Sequence, residues 1–324
     1  MSSGKMHAVQ IEDYGGPEAL KLVETPIPQP GEGQVLVRVQ AAGVNPADWK
    51  MRSGFFKQFM PLPMPWTPGM EAAGLIEMLG AGVAQFQPGQ AVFGPMLGAY
   101  AEYAIAPAGD LQFKPDRLSF EEAASVPVGA LTAWGAMIET ANVQPGQRVL
   151  VQGAAGGVGL YAVQLARWKG AQVLGTASSG NMDFVRALGA EAIDYSAGPF
   201  EQKVHDMDLV IDTVGGDIPQ RSLQVLRRGG TLVTVAGMLA ENFGKAEGVR
   251  ATRAGRAPVE RLKDITQLII EGKVKPAVYK VFPLAEARQA HELSQTGHGR
   301  GRIVLRVMGR PVIISEKWEE AEIL

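Results

Sequence analysis

The run Val149-Leu150-Val151-Gln152 leads into Gly153-Ala154-Ala155-Gly156-Gly157-Val158-Gly159, and a helix-compatible stretch, Leu160 to Lys169, follows. An apolar run, a glycine-rich turn and a helix together build an anion site from backbone alone. Glycines permit a tight turn and close approach of a pyrophosphate. The helix N-terminus adds unpaired N–H groups and the positive end of its dipole. A dinucleotide is therefore the leading ligand. The turn departs from the standard G-x-G-x-x-G, because Ala154 stands at the first glycine position. Alone such a turn is weak evidence. Its place between a strand and a helix, within repeated strand–helix units, gives it force.

The elements that must position this turn can be read from pattern. From about residue 120 strands and helices alternate. Ser119 caps a helix whose first turn holds Glu121 and Glu122. Strands are expected over residues 148–152, 172–177, 192–195, 208–214 and 231–236. Helices are expected near 157–169, 181–188, 218–228 (stopped by Gly229-Gly230) and 258–271. Such alternation implies parallel βαβ units. Residues 6–110 read instead as short strands broken by glycine and proline, which suits a barrel-like domain. After Pro276 the chain turns β-like again, with a helix at 284–294 and a strand at 302–307, as if returning to the first domain.

Composition narrows the function. The 324 residues suffice for two domains, and the formal charge of −2 gives no case for a nucleic-acid or acidic-membrane partner. The absence of cysteine removes thiolate nucleophiles and cysteine-ligated metals. The four histidines (His7, His205, His291, His298) lack metal-like spacing. No stretch approaches the roughly 20 apolar residues of a membrane span, and Met1 to Gln10 lacks a signal-peptide core. A soluble, cytoplasmic protein is expected. In the tail, Ser315 is a candidate cap for an acidic turn (Glu316, Glu319, Glu320, Glu322), with a frayed end as the plainer reading.

Ala154-x-Gly156-Gly157-Val158-Gly159 followed by Ala162-Val163-Gln164-Leu165-Ala166 resembles the medium-chain dehydrogenase/reductase superfamily, and within it the zinc-independent quinone oxidoreductase branch. Ala42-Gly43-Val44-Asn45-Pro46-Ala47-Asp48, Gly69-Met70-Glu71-Ala72-Ala73-Gly74, Leu131-Thr132-Ala133, Gly189-Ala190 with Ile193-Asp194-Tyr195, and Gly301-Arg302-Ile303-Val304-Leu305 are similar to further motifs of that branch. The resemblance implies an α/β fold: a GroES-like β-barrel domain from residues 1–122 and 277–324, plus a Rossmann doubly wound parallel sheet domain over 123–276. The cofactor would lie between them.

The zinc-dependent relatives carry Cys where Asn45 stands and His where Met70 stands, and neither Asn nor Met is a credible zinc ligand there. Hydride transfer to an already electrophilic acceptor, a quinone or an α,β-unsaturated carbonyl (enone or enal), needs no metal to polarise an alcohol. Such a chain would bind the cofactor through Ala155, Gly156, Gly157, Val158 and Gly159, with Thr132, Val214, Ala236, Gly237 and Met238 approaching the nicotinamide side.

The loop after Ala177 reads Ser178-Ser179-Gly180-Asn181, with no acid before Asp183. NAD-preferring domains place a carboxylate here for the ribose 2′-OH. Ser178, Ser179 and Asn181 can instead hydrogen-bond a 2′-phosphate, and Tyr195 matches a family position that contacts it, so NADPH is expected. The loop lacks the Lys or Arg that relatives often carry, with Gly180 in that place. Asn45 would hold the nicotinamide ribose or the substrate oxygen, or serve as a turn residue before Pro46. Lys50 stands where many quinone reductases have Tyr. It would place positive charge near a developing enolate, or be a solvated lysine. Phe282 would wall the pocket or belong to the core. An enoyl-thioester reductase and a nucleotide-binding sensor or structural protein are the alternatives. A homodimer through residues 249–256 is conceivable, but Arg250, Arg253 and Arg256 would repel across a two-fold.

Overall fold

The computed structural model describes residues 4–307. The Ser315 cap expected in the tail lies outside the described residues. In chain order the strands of the first half are β1 (Lys5–Gln10), β2 (Lys21–Pro26), β3 (Gln34–Val44), β4 (Glu71–Leu79), β5 (Ala91–Pro95), β6 (Tyr103–Pro107) and β7 (Gln112–Phe113), with helix α1 (Pro46–Arg52) after β3. Two helices follow, α2 (Phe120–Ala124) and α3 (Pro127–Trp134). Then come β8 (Arg148–Gln152), α4 (Gly159–Trp168), β9 (Gln172–Ala177), α5 (Met182–Ala187), β10 (Glu191–Asp194), β11 (Met207–Asp212), α6 (Ile218–Ser222), β12 (Leu226–Thr234), β13 (Arg250–Arg253) and α7 (Arg261–Ile270). Finally β14 (Val278–Pro283), α8 (Ala287–Gln295) and β15 (Arg302–Arg306) are the last elements among the described residues.

The second group forms a parallel sheet ordered β10-β9-β8-β11-β12-β13. The order reverses between β8 and β11, the switch point at which doubly wound sheets open a crevice beyond the strand ends. Val149, Leu150 and Val151 of β8 are all fully buried, as expected of a central parallel strand covered on both faces. Each such side chain contributes about 1.5–3 kcal/mol by leaving water. The edge strand β13 carries Arg250 and Arg253 exposed.

The other sheet runs β14-β15-β3-β4-β5-β7. The long strand β3 anchors it. One edge pairs with β4; the other pairs with β6 over Gln34–Arg38 and with β15 over Ala41–Val44. The last strand among the described residues therefore returns to the first domain, giving the GroES-like unit, and the fold is GroES-like plus Rossmann-like. One apolar core passes between the halves: Ala41, Ala73 and Phe93 pack with α2, α3 and the parallel sheet. Phe282 is buried in the separate core of the GroES-like half. No helix among the described residues is long and apolar enough to cross a membrane.

Ser119 caps α2 as its sequence predicts, accepting from Glu122 N–H at 3.1 Å while the Glu122 carboxylate accepts from Ser119 N–H at 2.8 Å. The helix expected near 218–228 is corrected. It ends at Ser222, a single tight turn follows over Leu223–Val225, and Gly229-Gly230 lie inside β12. Gly229 has φ 77°, and a Cβ on Gly230 would stand 2.9 Å from Arg227 O and 3.1 Å from Met207 O. These glycines bend a strand where the β11–β12 register shifts; they do not stop a helix.

At Gly159, the start of α4, a Cβ would lie 2.1 Å from the carbonyl oxygen of Gly153, whereas at Gly180 it would meet open space. Gly159→Ala should therefore lower Tm by roughly 5 °C or more, and Gly180→Ala by no more than about 1 °C. Equal melting curves for the two variants would contradict this account of the turn.

Candidate active site

β8 delivers the glycine turn to the switch point. Gly153 turns the chain with φ 69°, and its N–H donates to Thr176 Oγ1 at 3.1 Å. Thr176 donates in turn to Gln152 Oε1 at 2.7 Å, and Ala154 N–H bonds Thr176 O at 3.0 Å, so the turn is fastened to β9. Among the described residues, the N–H groups of Ala155, Gly157, Val158 and Gly159 have no acceptor. Four free donors at the head of α4 form a cradle for an anion. Ala154, at the first glycine position, is fully buried, and a Cβ on Gly175 of β9 would stand 2.6 Å from its methyl. The glycine missing from the turn is thus matched by one on the neighbouring strand.

Beside the cradle, Asp212 organises the next two strand ends. Its Oδ1 accepts from Val214 N–H and Gly215 N–H, both at 2.9 Å, and its Oδ2 from Thr234 Oγ1 at 2.6 Å. Val214 projects over the turn, with Cγ2 2.9 Å from where a Gly153 Cβ would stand. Val214 is 55% exposed and Met238 84%. Exposed apolar side chains at the mouth of the crevice suit a flat ligand face. Ala236 and Gly237 follow at the end of β12, and Ala236 N–H bonds Thr234 Oγ1 at 3.2 Å.

The floor of the site is charged and buried. Glu71, from β4, is fully buried. Its Oε1 accepts from Asn45 Nδ2 at 2.8 Å and from the Arg302 guanidinium; its Oε2 accepts from Val128 N–H at 2.7 Å. Arg302 Nη2 also donates to Asn45 Oδ1 at 2.8 Å. Nη1 of the same guanidinium lies under the cradle, 2.9 Å from where a Gly157 Cβ would stand. Asn45 is 2% exposed with both ends of its amide engaged. It starts α1, and its N–H donates to Asp48 Oδ2 at 2.8 Å. Gly43 is obligatory, since its Cβ would lie 2.4 Å from Glu71 Oε1 and 2.7 Å from Ala124 O.

Behind this floor runs a polar chain. Tyr100 O–H donates to Asp48 Oδ2 at 3.1 Å, which leaves His291 Nε2–H to donate to the Tyr100 oxygen at 3.2 Å. Burial pushes the Asp48 carboxyl up to about 7, and its Oδ1 has no partner. Burial, with the nearby Arg52 charge, lowers His291 to about 3, so that imidazole is neutral at pH 7.

Lys50, on α1, has Nζ 5.5 Å from the Trp49 ring centroid and 6.0 Å from that of Phe55, and forms no ion pair among the described residues. Phe55 is 69% exposed. Thr132 donates its hydroxyl to Val128 O at 2.7 Å inside α3, so only its lone pairs face outward. In the loop after β9, Asn181 Nδ2 bonds Ser178 Oγ at 3.2 Å and Gly299 O at 3.3 Å. Ser179 Oγ donates to Asp194 Oδ2 at 2.7 Å and lies 2.8 Å from Ser196 Oγ. The parallel register sets Asp194 opposite Ala177 and brings a carboxylate to a loop whose own sequence has none. The Ser196 and Ser179 hydroxyls hold Asp194 down to about 2. Tyr195, the next residue, is 47% exposed.

The sequence reading assigned no role to Glu71, Arg302, Asp48, Asp194 or Asp212. A carboxylate within the small-residue run Gly69–Gly74 and an arginine opening a buried strand were the available signals.

Asp48 yields a test. A carboxyl whose folded pKa exceeds its unfolded value costs stability once pH passes about 4, and the cost is complete above about 7. Asp48→Asn removes that charge and keeps an acceptor for Asn45 and Tyr100. It should raise unfolding free energy by on the order of 2–4 kcal/mol at about pH 8 and change little at about pH 4. Denaturant titrations at the two pH values measure this; a variant weaker than wild type at the higher pH would rule it out.

The alcohol dehydrogenase GroES-like domain model matches residues 31–116, and the zinc-binding dehydrogenase model matches residues 188–305. The mouse (Mus musculus) quinone oxidoreductase is 34% identical, over 94% of this chain and 99% of that protein. The structure of the Coxiella burnetii quinone oxidoreductase superposes with TM-score 0.86 at 37% identity, covering 94% of this chain and all of that one. A mycobacterial protein solved as its NADPH complex gives TM-score 0.84 at 30% identity, over 93% and 100% of the two chains. The chain belongs to the quinone oxidoreductase-like branch of the medium-chain dehydrogenase/reductase superfamily.

Proposed function

We propose that this chain is an NADPH-dependent reductase that passes hydride to a quinone or an α,β-unsaturated carbonyl without a catalytic zinc. One observation carries the reading: the cation at the centre of the site is a guanidinium. Arg302 sits against Asn45 and Glu71, beside the position where the zinc-dependent relatives bind their metal. Asn45 and Met70 supply no zinc-binding donor there, and no group of three His, Asp or Glu able to hold a metal occurs among the described residues. The solved NADPH complex of a structural relative supports the choice of nucleotide.

A bound reduced nicotinamide supplies the hydride. The free N–H groups of Ala155, Gly157, Val158 and Gly159 would hold its pyrophosphate, with the Arg302 guanidinium beneath them. Val214, Ala236, Gly237 and Met238 would flank its nicotinamide end. Lys50, which forms no ion pair among the described residues, would stabilise negative charge on the acceptor oxygen. A quinone then takes one proton with the hydride to become a hydroquinone. Asn45, with its amide committed to Glu71 and Arg302, acts by fixing the start of α1, and so Lys50, rather than by holding substrate.

Protein treated with a strong chelator should oxidise NADPH at the untreated rate when offered a panel of quinones and enals. Lys50→Ala should lower kcat at least ~10-fold while NADPH affinity moves within about twofold. Activity lost on chelation and restored by zinc would overturn the metal-free mechanism. Tight NADPH binding without turnover on any acceptor would overturn the reductase reading.

A further inference from the structure

We propose that Arg300 is the cation that recognises the 2′-phosphate of the adenosine, so that NADPH is gripped by both halves of the molecule. The proposal rests on the NADPH reading above and names the residue that makes it work.

The loop after β9 is poorly equipped for a phosphate. Residues 178–181 include no cation. The Ser179 hydroxyl is spent on Asp194 and the Asn181 amide on Ser178 and Gly299, which leaves the Ser178 hydroxyl as the free side-chain donor of the loop. Asp194 adds a negative charge at the same place. Nearby cations are otherwise occupied: Arg186 pairs with Asp183 at 2.7 Å, and Lys203 bonds the Asp194 carbonyl oxygen at 3.1 Å.

The segment before β15 supplies what is missing. It runs along the whole phosphate track. Gly299 O accepts from Asn181 at the loop, Gly301 N–H donates to Ala155 O at 2.7 Å at the glycine turn, and Arg302 lies under Gly157. Arg300 stands between these anchors. It is exposed and forms no ion pair among the described residues. Its guanidinium lies 6.0 Å from the Phe184 ring of α5, the helix that follows the loop, which keeps the side chain on the loop side. A cavity of about 370 Å³ opens there, lined by Gly180, Asn181, Tyr279, His298, Gly299 and Arg300. Gly301 holds the backbone in register, since its φ is 77° and a Cβ would lie 2.3 Å from Ala277 O. A guanidinium fork meets a phosphate with paired, charge-assisted hydrogen bonds. A ribose 2′-OH offers it no such partner.

The test is calorimetric titration of wild type, Arg300→Ala and Arg300→Lys with NADPH, NADH, adenosine 2′,5′-bisphosphate and 5′-AMP. Wild type should favour the 2′-phosphorylated member of each pair. Arg300→Ala should lose that preference by about tenfold or more, with 5′-AMP affinity unchanged, and Arg300→Lys should keep part of it. Equal weakening toward 5′-AMP and the bisphosphate would mark Arg300 as merely structural and overturn the proposal. A wild-type preference that survives Arg300→Ala overturns the Arg300 assignment alone. A wild type without preference removes the NADPH reading and this proposal together.

Discussion

The contact of Arg302 with Glu71 and Asn45 is the constraint on which the site depends. Both charged partners are almost fully buried, with side chains 3% and 0% exposed. Charges taken this far from water are tolerated only when paired and hydrogen-bonded, and removing one leaves the other stranded. Glu71 is held by three donors from three segments: the Asn45 amide, the Arg302 guanidinium and the Val128 N–H. Each bond fixes the position of an element around the switch-point crevice. Asn45 starts α1 and so places Lys50. Val128 opens α3 and so places Thr132. Arg302 touches the underside of the nucleotide cradle. A buried ion pair is weak evidence for net stability, and its value here is geometric. It fixes the GroES-like half against the nucleotide turn.

The cradle itself illustrates how sequence departures are absorbed. Ala154 replaces the first glycine of the usual fingerprint, and the added methyl must go somewhere. Gly175, one strand away, leaves the room. The last glycine is not negotiable in this way, because the obstacle at Gly159 is the Gly153 carbonyl, a backbone atom that no neighbouring substitution can remove. The pair Ala154–Gly175 and the single Gly159 are therefore different kinds of constraint within one motif.

What was legible in the sequence follows the range of the interactions. The glycine turn, the Ser119 cap and β9 are set by neighbours a few residues away, and they stand where the pattern places them. The failure at 218–228 has the same origin. Two glycines after a helical pattern read locally as a stop, but their conformation answers to β11 across the sheet. The site floor was illegible because it is long-range: Arg302 lies 257 residues from Asn45 and 231 from Glu71. The loop after β9 misled for the same reason. Its own residues carry no acid, yet strand pairing delivers Asp194 to it from 15 residues beyond Ser179. A nucleotide preference read only from the residues that follow β9 cannot count a charge supplied by β10, nor one supplied by the segment before β15.

Arg300 and Arg302 show how two like residues two positions apart acquire opposite roles. In a regular strand, residues two apart share one face. Gly301 breaks that rule with its positive φ, and its N–H is fixed to the cradle at Ala155. Arg302 consequently turns inward to Glu71 and is 4% exposed, while Arg300 stays in solvent beside the loop after β9. The buried charge already has its anion and so serves as framework. The exposed one lies by the Phe184 ring with no carboxylate against it among the described residues, which leaves its charge for an anion of the ligand. Arg302 opens β15, the strand that returns to the GroES-like half, and Arg300 lies in the segment just before it. A ligand phosphate meeting Arg300 would therefore bear on the same segment that Glu71 holds, and would tie nucleotide recognition to the geometry around Asn45 through one length of backbone.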